Sequence, residues 1–263
     1  MSRRRFLGGA VGLGAGVAMG EAKAAQATSP EVYELRQYHL RFGPQPTRLH
    51  DYLREAAIPA WNRLGLQPIG VFDAAFGEGP TVFVLIPHPS LESVASLPAR
   101  LEGDSEHRRA GAAYLEAPAV DPPYAALQSE LLVAFDSMPR VEVPPAAASK
   151  GPRLFELRTY LSHSEAAHKK KMEMFTPKMG ELEIFRRTGL APVFFGRAVS
   201  SFRLPSFTYM LAFADEAARA RAWGTFVGDS DWKKLAATPG YSDPEVLASI
   251  TSVILRPAPY SQI

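Results

Sequence analysis

The chain has 263 residues, of which 46% are hydrophobic and 21% are charged. This composition is typical of a folded globular protein with room for about two domains, and it excludes a largely disordered chain. The absence of cysteine excludes disulfide bonds, thiolate metal sites and thiol nucleophiles. The formal net charge of +2 is too small to indicate nucleic-acid binding, which normally needs a concentrated cationic face.

Residues 1–27 are predicted to be a cleavable twin-arginine signal. An arginine run at residues 3–5 precedes two apolar residues and a glycine-rich stretch, and A-x-A cleavage sites lie at residues 22–24 and 25–27. The stretch is too short and too rich in glycine for a membrane span. We therefore expect export by the twin-arginine route to the periplasm or outside of a bacterium, with no membrane span after cleavage. The mature chain would carry a formal charge of about −1, so no nucleic-acid partner is expected.

The first half of the mature chain, residues 30–140, reads as strand, helix, strand, strand, helix, strand. Period-2 runs rich in branched and aromatic residues predict strands at 32–40, 66–76, 81–86 and 127–135. Apolar residues near a 3.6-residue spacing predict helices at 47–64, 90–101 and 103–115. Pro59 should kink the first of these helices.

A proline- and alanine-rich linker at residues 141–152 leads to a second half, residues 153–263, with the same order of elements. Strands are predicted at 154–161, 193–200, 207–214 and 250–255. One long helix should begin at a capping box formed by Ser162 and Glu165 and end at Gly189. A second helix is expected at 215–226. The basic run Lys169–Lys171 is interpreted as a solvated face of the first helix.

The two halves open with the same sequence phrase. Residues 33–38 read Tyr-Glu-Leu-Arg-Gln-Tyr, and residues 155–160 read Phe-Glu-Leu-Arg-Thr-Tyr, 122 positions later. His50 and His168 also recur, each nine residues ahead of a proline. Self-similarity at a domain-sized interval predicts one structural unit built twice.

These repeated features resemble the NIPSNAP family. The resemblance rests on residues 33–38, on the glycine and proline spacing of residues 65–70 and on the ending at residues 255–261, and it covers nearly all of residues 31–263 as two tandem copies. It implies an α+β fold of tandem ferredoxin-like βαββαβ domains that pack as an intramolecular dimeric α+β barrel. The family has no agreed enzymatic activity, so the resemblance implies a fold and not a reaction.

The repeated phrase also supplies the main candidates for ligand binding. Strand alternation places its apolar residues on one face and its polar residues on the other. With the apolar face under the helices, the polar face would point into the barrel; its members are Glu34, Arg36, Tyr38, Glu156, Arg158 and Tyr160. Buried charges are costly unless paired, so the glutamates and arginines should neutralise each other, either within a strand or across the pseudo-twofold axis. The set is then either a structural ion-pair network or a pocket in which an arginine binds an anionic or carbonyl group.

His50 and His168 are further candidates, for proton transfer or for axial ligation of a haem-like group, although single histidines are more often surface residues. No metal motif occurs, no metal site is predicted, and no cofactor is indicated by a motif. We expect small-molecule binding in a barrel cavity, and a homo-oligomer is compatible with the sequence. The alternatives are a cofactor-independent or haem-dependent oxygenase, by analogy of fold alone, and a protein interaction module without cavity chemistry.

Overall fold

The computed structural model describes residues 29–145 and 153–263. The predicted export signal and most of the predicted linker lie outside the described residues. The strands of the described part are β1 (Val32–His39), β2 (Gly70–Ala74), β3 (Thr81–His88), β4 (Ala126–Ala134), β5 (Leu154–Leu161), β6 (Ala191–Ser200), β7 (Ser206–Phe213) and β8 (Ser249–Pro257). The helices are α1 (Pro44–Tyr52), α2 (Ile58–Arg63), α3 (Leu91–Glu102), α4 (Ser105–Leu115), α5 (Glu165–Met174), α6 (Glu181–Arg187), α7 (Glu216–Gly228), α8 (Ser230–Ala236) and α9 (Asp243–Val246).

The strands form one closed antiparallel barrel in the order β1-β3-β2-β8-β5-β7-β6-β4. Each half contributes the ferredoxin-like order 4-1-3-2, counted within that half, and the halves meet at the pairs β2–β8 and β4–β6. Closure leaves no exposed sheet edge. The predicted fold, a tandem duplication packed as an intramolecular α+β barrel, is confirmed.

The first helix of each half differs from the prediction in its continuity. In the first half, a π-helical turn at Leu53–Ala57 joins α1 to α2, directly before Pro59, which has no N–H to donate to the Glu55 carbonyl. In the second half, the predicted single helix is two helices, α5 and α6, because Pro177 cannot continue α5 and Gly180 adopts a left-handed conformation with φ of 80°.

The ends of other elements also differ from the sequence prediction. The N-cap of α5 is Ser164, whose side chain accepts from the Ala167 N–H, so the predicted cap at Ser162 is wrong. Helices α8 and α9 were not predicted. None of the helices described in residues 29–145 and 153–263 is long and apolar enough to cross a membrane.

The buried side chains form three cores, one inside the barrel and two outside it. Its interior holds a core shared by both halves, and each half has a second core between the outer sheet face and its own helices. At one end, here called the closed end, the interior is filled by aromatic rings: Tyr33 contacts Phe194 with ring centroids 5.1 Å apart, and Phe72 contacts Phe155 at 4.8 Å. The opposite end, where β1 finishes and β4 and β8 begin, is called the open end.

Candidate functional site

The polar residues of the repeated phrase lie outside the barrel, which corrects the prediction that they share its interior. Tyr33 and Leu35 belong to the interior core, whereas Tyr38 packs beneath the helices of the first half and Tyr160 beneath those of the second. The physical reason is the closure of the barrel, because its shared interior takes the more apolar face of each strand. The ionic face then lies under the helices, and in the second half α7 supplies hydrogen-bond donors to it. The two polar sets are therefore on opposite halves and form no common pocket.

In the first half, Glu34 and Arg36 neutralise each other within one strand. Arg36 Nε donates to Glu34 Oε1 over 2.8 Å and its Nη2 donates to Oε2 over 3.0 Å. Ser129 Oγ donates to the same carboxylate over 3.1 Å, and the guanidinium lies 5.5 Å from the centre of the Trp61 ring. Burial alone would raise the pKa of Glu34, but the His88 side chain, whose Nε2 lies 3.6 Å from Glu34 Oε2, and the charge of Arg36 lower it to about 2.

In the second half, Glu156 is fully buried and accepts from more donors than Glu34. Arg158 donates over 2.9 Å, Arg219 over 2.8 Å, the Trp223 indole N–H over 2.8 Å and the Ser252 hydroxyl over 2.7 Å. Burial opposes ionisation, yet these hydrogen bonds lower the pKa of Glu156 to about 2. The Arg158 guanidinium also lies 4.6 Å from the centre of the Trp223 ring.

These contacts favour the structural interpretation of both polar sets. Each carboxylate already accepts several hydrogen bonds from the protein, and each arginine lies on an aromatic ring. A ligand would have to displace these partners to bind. Of the two pairings that the sequence left open, the structure shows the one within each strand, in surroundings that differ from those predicted.

His50 lies in a hydrogen-bonded chain rather than at a ligand site. Its Nδ1 is 2.6 Å from the Tyr260 hydroxyl and its Nε2 is 3.0 Å from Asp73 Oδ1. Burial, followed by the charge of Asp73, raises the pKa of Tyr260 above its ordinary value. Both ring nitrogens of His50 are thus used to hold α1 against β2 and the segment after β8.

The repeat-related His168 has no such partners. Its ring packs 6.1 Å from the Phe207 ring, its Nδ1 is buried without a hydrogen bond in the structure, and burial followed by the charge of Arg197 lowers its pKa. Neither histidine lines the barrel cavity described below. The residues present therefore do not fit axial ligation of a haem in that cavity. Within the described ranges, no group of three or more His, Asp or Glu residues could hold a metal ion.

The basic run in the second half contains a buried lysine, which corrects its interpretation as a solvated face. Lys169 and Lys170 are exposed, but Lys171 is fully buried and lies 3.3 Å from Glu181 and 3.2 Å from Asp243. Burial would lower the pKa of Lys171, but the two carboxylates raise it. Complete burial raises the pKa of Glu181 to about 7 despite the lysine.

Aromatic rings complete the surroundings of the Lys171 ammonium. The centres of the rings of Tyr160, Phe175 and Trp232 lie 5.4 to 5.6 Å from its Nζ. The burial of Lys171 could have been predicted from the sequence, because Lys171 lies four residues before Phe175 and therefore on the same buried stripe of the helix.

The open end of the barrel holds a cavity of about 600 Å³. Its apolar lining comes from the interior face of the strands and from the β6–β7 hairpin: Leu35, Phe83, Leu157, Leu161, Phe202 and Val253. Its polar lining comes from the same interior face and the same hairpin: Gln37, Gln128, Glu130, Thr159, Ser201, Arg203 and Thr251. None of these polar residues was singled out by the sequence analysis, which had assigned the interior to the opposite strand face.

Glu130 is the carboxylate of this cavity. It lies on β4, three residues after Leu127 and two before the buried Leu132, and is itself partly buried. Burial raises the pKa of the Glu130 carboxyl, and a hydrogen bond from the Ser201 side chain acts in the opposite direction. The alternation along β4 could have identified it, since Gln128, Glu130 and Leu132 share one strand face.

Comparisons with known proteins identify the family and the fold. The sequence model of the NIPSNAP family matches residues 33–120 and 155–262. No curated protein matches the chain.

Two solved structures share the fold over most of the chain, and a third aligns with part of it. A candidate monooxygenase from Fusobacterium nucleatum is 7% identical with a TM-score of 0.56, and the alignment covers 87% of this chain and 93% of that one. One from Lactobacillus acidophilus is 8% identical with a TM-score of 0.58, covering 86% and 93%. A NIPSNAP-like domain protein from Burkholderia xenovorans is 16% identical with a TM-score of 0.35, covering 40% and 85%. At these identities the two longer alignments show that the α+β barrel fold is shared, and they carry no information about activity.

Proposed function

The chain belongs to the NIPSNAP family, and we propose that it binds a small, mostly apolar organic molecule in the cavity at the open end of the barrel. The observation that carries this proposal is the cavity itself, whose volume of about 600 Å³ lies in the range of ligand sites in proteins. A barrel packed solid along its whole length would instead have favoured the interaction module.

The lining suggests how such a molecule would be oriented. Leu35 and Leu157 are each 5% exposed and form the inner part of the cavity, and Phe83, also 5% exposed, lies beside Gln37. Gln37 and Thr159 stand nearer the opening, because they follow Leu35 and Leu157 along β1 and β5 toward the open end. An amphipathic ligand would therefore place its apolar part inward and its polar group at this ring of side chains.

The expected affinity is low. An aromatic group that buries about 200 Å² of apolar surface gains about 5 kcal/mol from leaving water. Lost translational and rotational freedom offsets part of that gain. Because about 5 kcal/mol alone corresponds to a dissociation constant of about 0.2 mM, we expect a simple aromatic probe to bind in the range of roughly 0.2 to 5 mM.

A neutral fluorescent dye tests the proposal. N-phenyl-1-naphthylamine increases its emission in apolar surroundings, so a titration into the protein reports entry into the cavity. Thr251→Trp adds a large ring on the cavity wall, whereas Ile250→Trp, one residue earlier on β8, adds the same ring on the outer face, where Ile250 is 41% exposed. We expect Thr251→Trp to weaken dye binding at least tenfold and Ile250→Trp to change it less than twofold.

Circular dichroism and thermal unfolding should show that both variants are folded. The absence of saturable binding to the unmodified protein would contradict the proposal. Equal losses in the two tryptophan variants would also contradict it, because the dye would then bind elsewhere.

A further inference from the structure

We propose that the cavity selects ligands that carry a positive charge, and that Glu130 is the residue that pairs with this charge. The inference rests on the proposed function, because it names the chemical class of the ligand in the same cavity. That class is a small aromatic or aliphatic molecule with a protonated amine.

The position of Glu130 sets it apart from the other buried carboxylates. Glu34 and Glu156 point outward beneath the helices and each forms a salt bridge with an arginine. Glu130 points into the cavity, and within residues 29–145 and 153–263 no lysine, arginine or histidine lies within salt-bridge distance of it. Ser201, at the β6–β7 hairpin, also lines the cavity, and its side chain acts to lower the pKa of Glu130.

The other polar side chains that line the cavity are mostly uncharged. They are Gln37 from β1, Gln128 from β4, Thr159 from β5, Thr251 from β8 and Ser201 from the β6–β7 hairpin. Among the described residues that line the cavity, Arg203 carries the other charge, and it is exposed at the hairpin. His39 continues the interior-facing register of β1 but lines a separate hollow with Glu78 and Thr81.

This distribution of charge favours a cationic ligand over an anionic one. A carboxylate that is partly withdrawn from water and lacks a cationic partner is under-stabilised, which agrees with the raised pKa of Glu130. An ammonium group beside it would regain the lost stabilisation in surroundings of lower dielectric constant than water. Arg203 attracts anions more weakly, because exposed charges are screened by solvent and salt.

Three probes of similar shape distinguish the effect of ligand charge from binding to the cavity itself. They are 1-naphthylmethylamine, which is cationic, 1-naphthalenemethanol, which is neutral, and 1-naphthoate, which is anionic. Binding is measured by isothermal titration calorimetry at pH 8 and low salt. We expect the cation to bind at least tenfold more tightly than the neutral probe and the neutral probe more tightly than the anion.

Variants of Glu130 and Arg203 test which residue causes the preference for the cationic probe. Glu130→Gln should lower the affinity for the cation to that for the neutral probe and leave the neutral probe within twofold. Glu130→Asp should retain a preference for the cation, and Arg203→Gln should leave that preference intact. Lowering the pH should weaken binding of the cation as the Glu130 carboxyl takes up a proton, and this dependence should be absent from Glu130→Gln, in which His39 and Arg203 are unchanged.

The outcomes distinguish the inference from the proposed function. If the neutral probe binds but the cation has no advantage, the charge selectivity is wrong and the cavity proposal stands. If no probe binds, the proposed function itself fails. A preference for the anion that disappears in Arg203→Gln would overturn the role of Glu130. The comparison of probes on the unmodified protein and its pH profile remain decisive even if Glu130→Gln does not fold.

Discussion

Replacing Glu156 by glutamine should destabilise the protein strongly at neutral pH and only weakly in acid. The side chain is fully buried, and its carboxylate accepts from Arg158, Arg219 and Trp223. Glutamine has nearly the same shape but no charge. Its amide NH₂ group would face these donors, so at least one hydrogen bond is lost and two guanidinium groups lose their counter-charge.

The magnitude follows from the pKa of the carboxyl. The folded protein holds the pKa of Glu156 at about 2, below its ordinary value of 4.5, and each pKa unit corresponds to about 1.4 kcal/mol. The ionised carboxylate therefore contributes about 3 kcal/mol to stability. Because the folded-state pKa is lowered, this contribution is complete above pH 4.5 and is lost as the pH falls toward 2.

Urea unfolding followed by circular dichroism measures the effect. At pH 7 we expect Glu156→Gln to lower the free energy of unfolding by about 3 to 5 kcal/mol. The difference from the unmodified protein should shrink as the pH is lowered from 4.5 toward 2, because the unmodified protein then also loses the charge. Glu78→Gln, at an exposed position in the β2–β3 hairpin, serves as the control and should stay within about 0.5 kcal/mol.

Two results would refute this reasoning. A loss below about 1 kcal/mol at pH 7 would mean that the hydrogen bonds to Glu156 do not offset its burial. A large loss that is the same at pH 7 and at pH 3 would mean that the destabilisation comes from packing and not from charge.

Two further substitutions test other buried contacts by the same urea assay. Lys171→Met should cost about 3 to 5 kcal/mol by leaving Glu181 without its cation, and Glu181→Gln should recover at least half of that loss in the double variant; no recovery would contradict the coupling. Gly196→Ala should cost about 1 to 3 kcal/mol, because the new Cβ would lie 2.7 Å from Leu132 Cβ where β6 pairs with β4. Adding Leu132→Ala keeps that Cβ, so it should rescue little; a full rescue would place the clash on the outer atoms of the leucine.

The order of the strands along the chain could be predicted from the sequence. Period-2 runs and turn residues depend on neighbours within about ten positions, and the repeated phrase can be recognised by direct comparison of two segments, so these signals are present in a single sequence. The predicted strand over residues 154–161 is that of β5. The helix of the second half was less predictable, because the break at Phe175–Gly180 depends on a proline and a left-handed glycine that a regular apolar stripe conceals.

The candidate site was less predictable than the fold. Alternation identifies two faces of a strand but does not say which face is inside. The partners of Glu156 lie on α7 and β8, more than sixty positions away at Arg219, Trp223 and Ser252. A sequence pattern around the strand alone cannot reveal contacts at that separation.

The sequence by itself therefore determined the duplication and the order of elements, because both can be read from residue patterns along the chain. The tertiary structure alone decided that Glu34 pairs with Arg36 and Glu156 with Arg158 within one strand, that both pairs lie under the helices, and that Glu130 lies in a cavity. The physical reason is barrel closure. It joins β2 to β8 and β4 to β6 and thereby creates an interior that belongs to neither half alone.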